Sequence, residues 1–163
     1  MSSSNIFMET DHPIWLRGKR VLITGASSGI GCETARLLAP FCSELYLVAR
    51  RHERIKVLAS DLEHPHCRVV PISCDLTEKD AIRRKLGSLT NQVDVLVNNA
   101  GAALGQDQIT DARDSDWDTM LDLNLRAASR VIKAFVPGMI ERNQGYIINL
   151  TSVASHRSYA GGS

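Results

Sequence analysis

Glycine and serine residues follow the first apolar run of the chain at a spacing suited to holding phosphate groups. The run at residues 21–24 leads into GASSGIG at residues 25–31. Glycine permits tight turns and lets a ligand approach the backbone closely. A helix that begins here directs its free N–H groups and the positive end of its dipole at the loop. The pattern predicts a pyrophosphate site; the alternative is an ordinary strand–helix turn rich in small residues.

The glycine spacing separates this loop from two other phosphate-binding motifs. It is G-x-x-x-G-x-G, whereas other dinucleotide-binding proteins carry G-x-G-x-x-G, and no Gly-Lys-Ser/Thr follows as a P-loop requires. The predicted nucleotide-binding residues of the loop are Gly25, Ser27, Ser28, Gly29, Ile30 and Gly31.

Two arginines at the end of the second apolar run indicate which nucleotide is bound. Arg50 and Arg51 follow residues 45–49, while Glu44 precedes the run and Glu53 lies beyond it. A carboxylate at this strand end would hold the ribose 2′-OH of NAD, but a guanidinium fork fits a 2′-phosphate. Arg50 and Arg51 therefore favour NADP(H), and the alternative is a pair of solvated arginines at a helix start.

Apolar patterning predicts strands and helices in alternation. Strands are expected at residues 21–24, 45–49, 69–72, 93–97 and 146–150, and helical stripes at 30–41, 55–62, 77–89 and 115–142. Five such repeats predict a parallel α/β sheet with helices on both faces, doubly wound, with ligands at the carboxyl ends of the strands. Pro71 places the third strand near a sheet edge.

Two helices are given specific buried faces by this pattern. The first is expected to bury Ile30, Thr34, Leu37, Leu38 and Phe41, and the long one to bury Trp117, Met120, Leu121, Ala128, Val131, Ile132 and Phe135. Asn124 falls on the second stripe, so a buried amide with polar partners is expected there. Thr77 is the expected N-terminal cap of the predicted helix at residues 77–89.

TGASSGIG at residues 24–31 and NNAG at residues 98–101 resemble the short-chain dehydrogenase/reductases, and the resemblance runs from about residue 16 to residue 163. It implies a Rossmann-like sheet with five of the family's seven strands present, after an N-terminal extension at residues 1–18. The NADP-binding domain is then residues 19–163. It also implies an enzyme that interconverts an alcohol and a carbonyl by hydride transfer to or from NADP(H).

The resemblance assigns further residues around the cofactor. Asp75 matches the family position that hydrogen-bonds the adenine amino group, with Leu76 beside it, although a turn acid is the alternative. Asn99, Ala100 and Gly101 match the segment beside the adenine-side ribose, and Asn98 is expected to brace the sheet.

Two catalytic positions are implied in the same way. Asn124 resembles the asparagine that holds a proton-relaying water, the alternative being a core asparagine. Ser152 matches the serine that hydrogen-bonds the substrate oxygen, with Thr151 as its rival.

The family's Tyr-x-x-x-Lys pair is not found in the sequence. Tyr159 follows Ser152 too closely, and Ser163 stands four residues after it. Residues 159–163 instead resemble the stretch before the catalytic tyrosine, so a continuation is expected to carry the pair, and the chain alone is expected to be inactive. The alternative is an inactive, truncated nucleotide-binding or interaction protein.

Composition excludes several other classes of protein. The 163 residues are 44% hydrophobic with a net charge of +1, and no apolar run could span a bilayer. Nucleic-acid and membrane partners are not expected, and a carbonyl or alcohol substrate is. Without a signal-peptide pattern the protein is expected in the cytoplasm, as a homodimer or homotetramer by the resemblance. No metal site is expected, since His64, His66 and Cys67 lack a familiar zinc spacing.

Overall fold

The computed structural model describes residues 14–105 and 107–157, in which five parallel strands form one sheet. The strands are β1 (Arg20–Thr24), β2 (Glu44–Ala49), β3 (Arg68–Ser73), β4 (Val95–Asn98) and β5 (Tyr146–Asn149). Their order across the sheet is β3-β2-β1-β4-β5, which confirms the predicted parallel sheet. The order reverses between β1 and β4, so their carboxyl ends border the crevice where such sheets bind ligands.

Helices cover both faces of the sheet. They are α1 (Gly29–Leu38), α2 (His52–Asp61), α3 (Ala81–Leu86), α4 (Asp114–Met120) and α5 (Ala128–Glu141), with a π-helical segment (Leu121–Ala127) between α4 and α5. Short 3-10 turns lie at Ile14–Leu16, Gly87–Leu89 and Val153–Ser155. One core cluster joins α1 and α2 to the sheet and a second joins α3 and α5 to it, which confirms the two-sided arrangement.

The inner strand β1 is buried on both faces. Val21 and Ile23 belong to the cluster under α1 and α2, whereas Leu22 belongs to the cluster under α3 and α5. Burial on both sides explains why the strands are continuous apolar runs instead of alternating ones. β3 is an outer strand, as Pro71 predicts, because proline cannot donate to a neighbour on both sides.

The predicted buried face of α1 is only partly correct: Leu38 and Phe41 pack against the core, but Ile30 and Leu37 do not. Ile30 and Leu37 are 65% and 62% exposed, whereas Gly31 and Ala35 are buried. A Cβ atom on Gly31 would lie 2.6 Å from the carbonyl oxygen of Gly25, so α1 contacts the loop through its smallest residues. Close approach of the backbones, not apolar bulk, therefore decides which face of α1 packs inward.

The predicted start of α3 at Thr77 is also wrong, since this helix begins at Ala81. The Thr77 N–H and hydroxyl both donate to Oδ1 of Asp75, at 2.9 and 2.7 Å. This side-chain turn competes with helix formation at residues 75–77.

The predicted apolar stripe of the long helix is interrupted by the π-helical segment. Val131 and Phe135 are fully buried, but Leu121 is 40% exposed and Asn124 is also exposed. A π-helical turn contains more residues than an α-helical turn, so it rotates the side chains that follow it relative to those before it. The pattern predicted that Asn124 lies in the core, and this prediction is wrong because the residue is exposed.

The residues just before β1 take part in the fold. Leu16 is buried in the core, and the Trp15 ring lies 5.2 Å from that of Tyr146 on β5. Residues 15 and 16 of the predicted extension therefore pack against the sheet. The predicted approach to a catalytic tyrosine at residues 159–163 lies outside the described residues.

Candidate functional site

A cavity of about 940 Å³ opens at the carboxyl ends of the strands. All the predicted cofactor-binding residues except Gly29 and Gly31 line it, and so do Asn124 and Ser152. Residues that are up to 127 positions apart in the sequence, from Gly25 to Ser152, are thus brought to one site by the parallel sheet.

The glycine loop leaves no room for side chains where it faces β4. Gly25 has φ +70°, and a Cβ atom there would lie 2.8 Å from both the Ala100 Cα and the Asn99 Nδ2. Gly29, at the start of α1, has φ +57°, a backbone region that other residues seldom adopt. The loop is therefore held as a bare backbone turn at the N-terminus of α1, with Gly31 packed behind it.

Thr24 ties the glycine loop to the segment after β4. It is fully buried, and its Oγ1 accepts hydrogen bonds from the N–H groups of Asn99 and Ala100, both at 3.0 Å. In return, the Asn99 Nδ2 donates to the carbonyl oxygens of Thr24 and Gly25, at 2.9 and 3.3 Å. Thr24 was not among the predicted site residues, although a hydroxyl at the end of an otherwise apolar buried strand is a signal for such a role.

The Thr24 hydroxyl gives a first testable prediction. Thr24→Val keeps the shape of the side chain but leaves two N–H groups without an acceptor, which is expected to lower the free energy of unfolding by about 2 kcal/mol. Thr24→Ser is the matched control because it retains the oxygen. Urea denaturation of both variants measures the difference, and equal stabilities of the valine and serine variants would contradict the assigned role.

Arg51 connects the end of β2 to the glycine loop. Its Nε and Nη2 donate to the Ser27 Oγ at 3.1 and 2.9 Å, and its Nη2 also lies 2.7 Å from the Ser28 Oγ. The guanidinium and two serine hydroxyls thus form one exposed group of donors at the edge of the cavity. Such a fixed fork matches the geometry of a phosphate.

Arg50 and Asp75 form a second polar group beside the first. Burial raises the pKa of Asp75. The two hydrogen bonds from Thr77 and the charge of Arg50 together lower this pKa by more, so it lies below its usual value. The carboxylate is therefore ionised at neutral pH. Both Thr77 bonds go to Oδ1, so the turn interpretation is correct for that oxygen, and Oδ2 accepts no hydrogen bond from the described residues.

Asn98 braces the sheet as predicted. Its Nδ2 donates to the carbonyl oxygen of Ala128 and to the Asn149 Oδ1, both at 3.2 Å, and its Oδ1 lies 3.4 Å from the Thr24 Oγ1. One buried amide thereby joins β1, β4, β5 and the start of α5 at the floor of the cavity.

Asn124 fixes the chain that follows β4. Its Oδ1 accepts from the Ala102 N–H at 2.8 Å, and its Nδ2 donates to the Ala102 carbonyl oxygen at 2.7 Å. The π-helical segment turns this side chain out of the core and toward the cavity, which it lines. The amide retains a second N–H and a second lone pair for a water or ligand.

Ser152 lies immediately after β5, at the start of a 3-10 turn. Its Oγ accepts a hydrogen bond from the Ala154 N–H at 3.2 Å, and the residue is exposed at the cavity. Because the oxygen is already an acceptor, its own hydrogen is available to donate to another oxygen. Thr151, the rival, lines the same cavity.

The described part of the chain shows neither a metal-binding cluster nor a membrane-spanning helix. Within residues 14–105 and 107–157, no three His, Cys, Asp or Glu side chains are grouped so that they could hold a metal ion. In that same part of the chain, none of the helices has the length and apolar character needed to cross a membrane.

Sequence and structure match known proteins along most of the chain. Residues 19–163 match the family model for short chain dehydrogenase. The chain is 40% identical over 145 residues to the NADP-dependent 3-hydroxy acid dehydrogenase YdfG of Salmonella typhi, covering 87% of this chain and 57% of that protein. It is 39% identical over 153 residues to the NADP-dependent 3-hydroxy acid dehydrogenase of Schizosaccharomyces pombe, covering 91% and 59%.

A solved structure shows the same likeness. The closed form of a serine dehydrogenase complexed with NADP+ superimposes with a TM-score of 0.81 at 38% identity, covering 87% of this chain and 57% of that one. The chain thus spans less than two thirds of the length of these relatives.

Proposed function

Because the chain belongs to the short-chain dehydrogenase/reductase family, we propose that its cavity binds NADP(H) and that the protein interconverts an alcohol and a carbonyl. The observation that carries the proposal is the Arg51–Ser27–Ser28 donor group on a loop whose Gly25 leaves no room for a side chain. A relative solved with NADP+ supports the same cofactor. The truncated binding or interaction protein is the less favoured alternative.

The cavity residues fit this cofactor. The backbone N–H groups of the loop from Gly25 to Gly29 would face the pyrophosphate at the N-terminus of α1, and Arg51 with Ser27 would hold the 2′-phosphate. The Oδ2 of Asp75, which accepts no hydrogen bond from the described residues, would accept from the adenine amino group, with Leu76 beside it. The segment from Asn99 to Gly101 would lie along the adenine-side ribose. When bound, the nicotinamide supplies or accepts the hydride.

The catalytic assignments rest on the hydrogen-bonding groups of Ser152 and Asn124 that are not used within the protein. Ser152 would donate its free hydroxyl hydrogen to the substrate oxygen, which stabilises negative charge there. Asn124 would hold a water with its second N–H and lone pair while its pairing with Ala102 keeps the amide in place. The acid or base that completes proton transfer is not assigned to a described residue.

The substrate class and assembly belong to the same proposal. The names of the relatives point to a small 3-hydroxy acid. The free thiols of all four cysteines agree with a reducing compartment, so we place the protein in the cytoplasm. A homodimer or homotetramer is the assembly expected from the family.

The proposed reaction is tested on the protein isolated from its own source. With serine or another small 3-hydroxy acid as substrate, kcat/KM for the formation of reduced nicotinamide should be at least about tenfold higher with NADP+ than with NAD+. The reason is that only NADP+ carries the 2′-phosphate that Arg51 would bind. A preference for NAD+ would overturn the cofactor assignment. Tight NADP+ binding without turnover of any alcohol or carbonyl would favour the binding-protein alternative.

A further inference from the structure

Two buried thiols lie together at the amino ends of β2 and β3, at the opposite end of the sheet from the cavity. Cys42 is 2% exposed and Cys67 is 5% exposed, and their Sγ atoms are 3.4 Å apart. We propose that Cys42 and Cys67 form a redox site, in which a hydroperoxide oxidises the two thiols to a reversible disulfide. This inference is independent of the proposed oxidoreductase activity.

The backbone around the pair is already arranged for the bond. The Arg68 N–H donates to the Ser43 carbonyl oxygen at 2.9 Å, so the residues next to the two cysteines are joined by a hydrogen bond. The β2–β3 register then continues from Glu44 opposite Arg68. A disulfide bond is about 2.05 Å long, so the sulfur atoms need to approach by little more than ~1 Å.

The surroundings shift the pKa values of the Cys42 and Cys67 thiols in opposite directions. The contact with Cys42 lowers the pKa of Cys67, whereas the contact with Cys67 and burial raise the pKa of Cys42. The Cys42 Sγ also lies 3.3 Å from the Leu38 carbonyl oxygen, an acceptor that favours its protonated form. Cys67 is therefore the better nucleophile. It directly follows the exposed residues 63–66, so only the side chains around this turn separate its sulfur from solvent.

The chemistry proceeds in two balanced steps. The Cys67 thiolate attacks one oxygen of hydrogen peroxide, so an S–O bond forms, the O–O bond breaks, and the leaving hydroxide takes up a proton to become water. The Cys42 sulfur then attacks the sulfenic sulfur of Cys67, so the S–S bond forms and the S–O bond breaks. The departing hydroxide takes the Cys42 proton and leaves as a second water. Two thiols lose two electrons, and one peroxide gains them.

The other two cysteines lie outside this pair and serve as controls. Cys74 belongs to the core cluster on the opposite face of the sheet from Cys42 and Cys67. Cys32 is partly exposed on α1 and lines a separate small cavity next to α2.

The test is peptide mapping of the 163-residue chain after brief treatment with hydrogen peroxide and blocking of the remaining thiols. We expect the intact mass, measured before blocking, to fall by two hydrogens and one cross-linked peptide pair to join Cys42 to Cys67, reversed by dithiothreitol. The Cys32→Ser control should behave like the wild type, and Cys67→Ser should not cross-link. Because the disulfide closes a loop that contains all of α2, it should raise the Tm by roughly 5–10 °C.

Two results would overturn the proposal. One is oxidation of Cys67 to sulfinic acid with Cys42 still reduced. The other is a disulfide that includes Cys32 or Cys74 at a yield equal to that of the Cys42–Cys67 pair. Treatment in urea, where proximity is lost, gives the unspecific pairing pattern against which the folded chain is compared, so the result does not depend on any variant folding.

Discussion

Gly31→Ala is expected to weaken NADPH binding at least about 100-fold and to lower the free energy of unfolding by about 1–3 kcal/mol. The added Cβ would lie 2.5 Å from the Asn99 Nδ2 and 2.6 Å from the Gly25 carbonyl oxygen. One of these groups is backbone, so it cannot rotate away as the end of a side chain would. The glycine loop must shift, and the shift moves the N–H groups that are to face the pyrophosphate.

Gly87→Ala is the matched control for this substitution. Gly87 also has a helical backbone, with φ −57° and ψ −36°, but a Cβ atom there meets nothing within 4 Å. Alanine at such a position stabilises by about 0.4–1 kcal/mol because it restricts the unfolded chain. NADPH affinity follows from the quenching or enhancement of its fluorescence, and stability follows from urea denaturation. A Gly31→Ala chain that binds NADPH as tightly as the Gly87→Ala chain would refute the packing argument.

The parts of the fold that could be predicted are those that large apolar residues determine. Runs such as that of β1 are long and apolar because both faces are buried, and that pattern identifies a parallel sheet without further information. The face of α2 was likewise predictable, since Ile55 and Leu58 are both buried and at helical spacing. Pro71 limited β3 to an edge for a covalent reason, the missing N–H.

The parts that could not be predicted depend on small residues and side-chain hydrogen bonds. Hydrophobic periodicity gives Gly31 and Ala35 little weight, so it assigned the inner face of α1 to Ile30 and Leu37. The delayed start of α3 comes from two hydrogen bonds to Asp75, which no propensity scale includes.

The site itself shows both kinds of determinant. Most residues of the cavity were predictable because they follow a strand, and parallel strands bring their carboxyl ends together. The hydrogen bonds between these residues were not predictable, above all those that the Thr24 hydroxyl accepts from the segment after β4. The π-helical turn that directs Asn124 to the cavity was not predictable either. Motifs thus indicated residues that the structure brings to one cavity, but only the three-dimensional contacts show which of them hold the others in place.

We expect the choice between the two nicotinamide cofactors to depend mainly on Arg51, so Arg51→Ala should raise the Kd for NADPH by about 10–100-fold and leave that for NADH nearly unchanged. The guanidinium bridges Ser27 and Ser28 at the cavity edge, and under the proposed function only NADPH would place a 2′-phosphate against it. Arg51→Lys should fall between the two, since an ammonium keeps the charge but lacks the fork that holds both serines.

Arg54→Ala is the control. Arg54 is an exposed arginine on α2, three residues after Arg51, and it does not line the 940 Å³ cavity. It removes the same charge from the same region, so it measures the general electrostatic effect on a phosphorylated nucleotide. Fluorescence titrations of the three variants with both cofactors, at one fixed ionic strength, separate the two effects. If Arg54→Ala weakened NADPH binding as much as Arg51→Ala does, the preference would come from the overall charge of this surface and the Arg51–serine group would have no specific part in it.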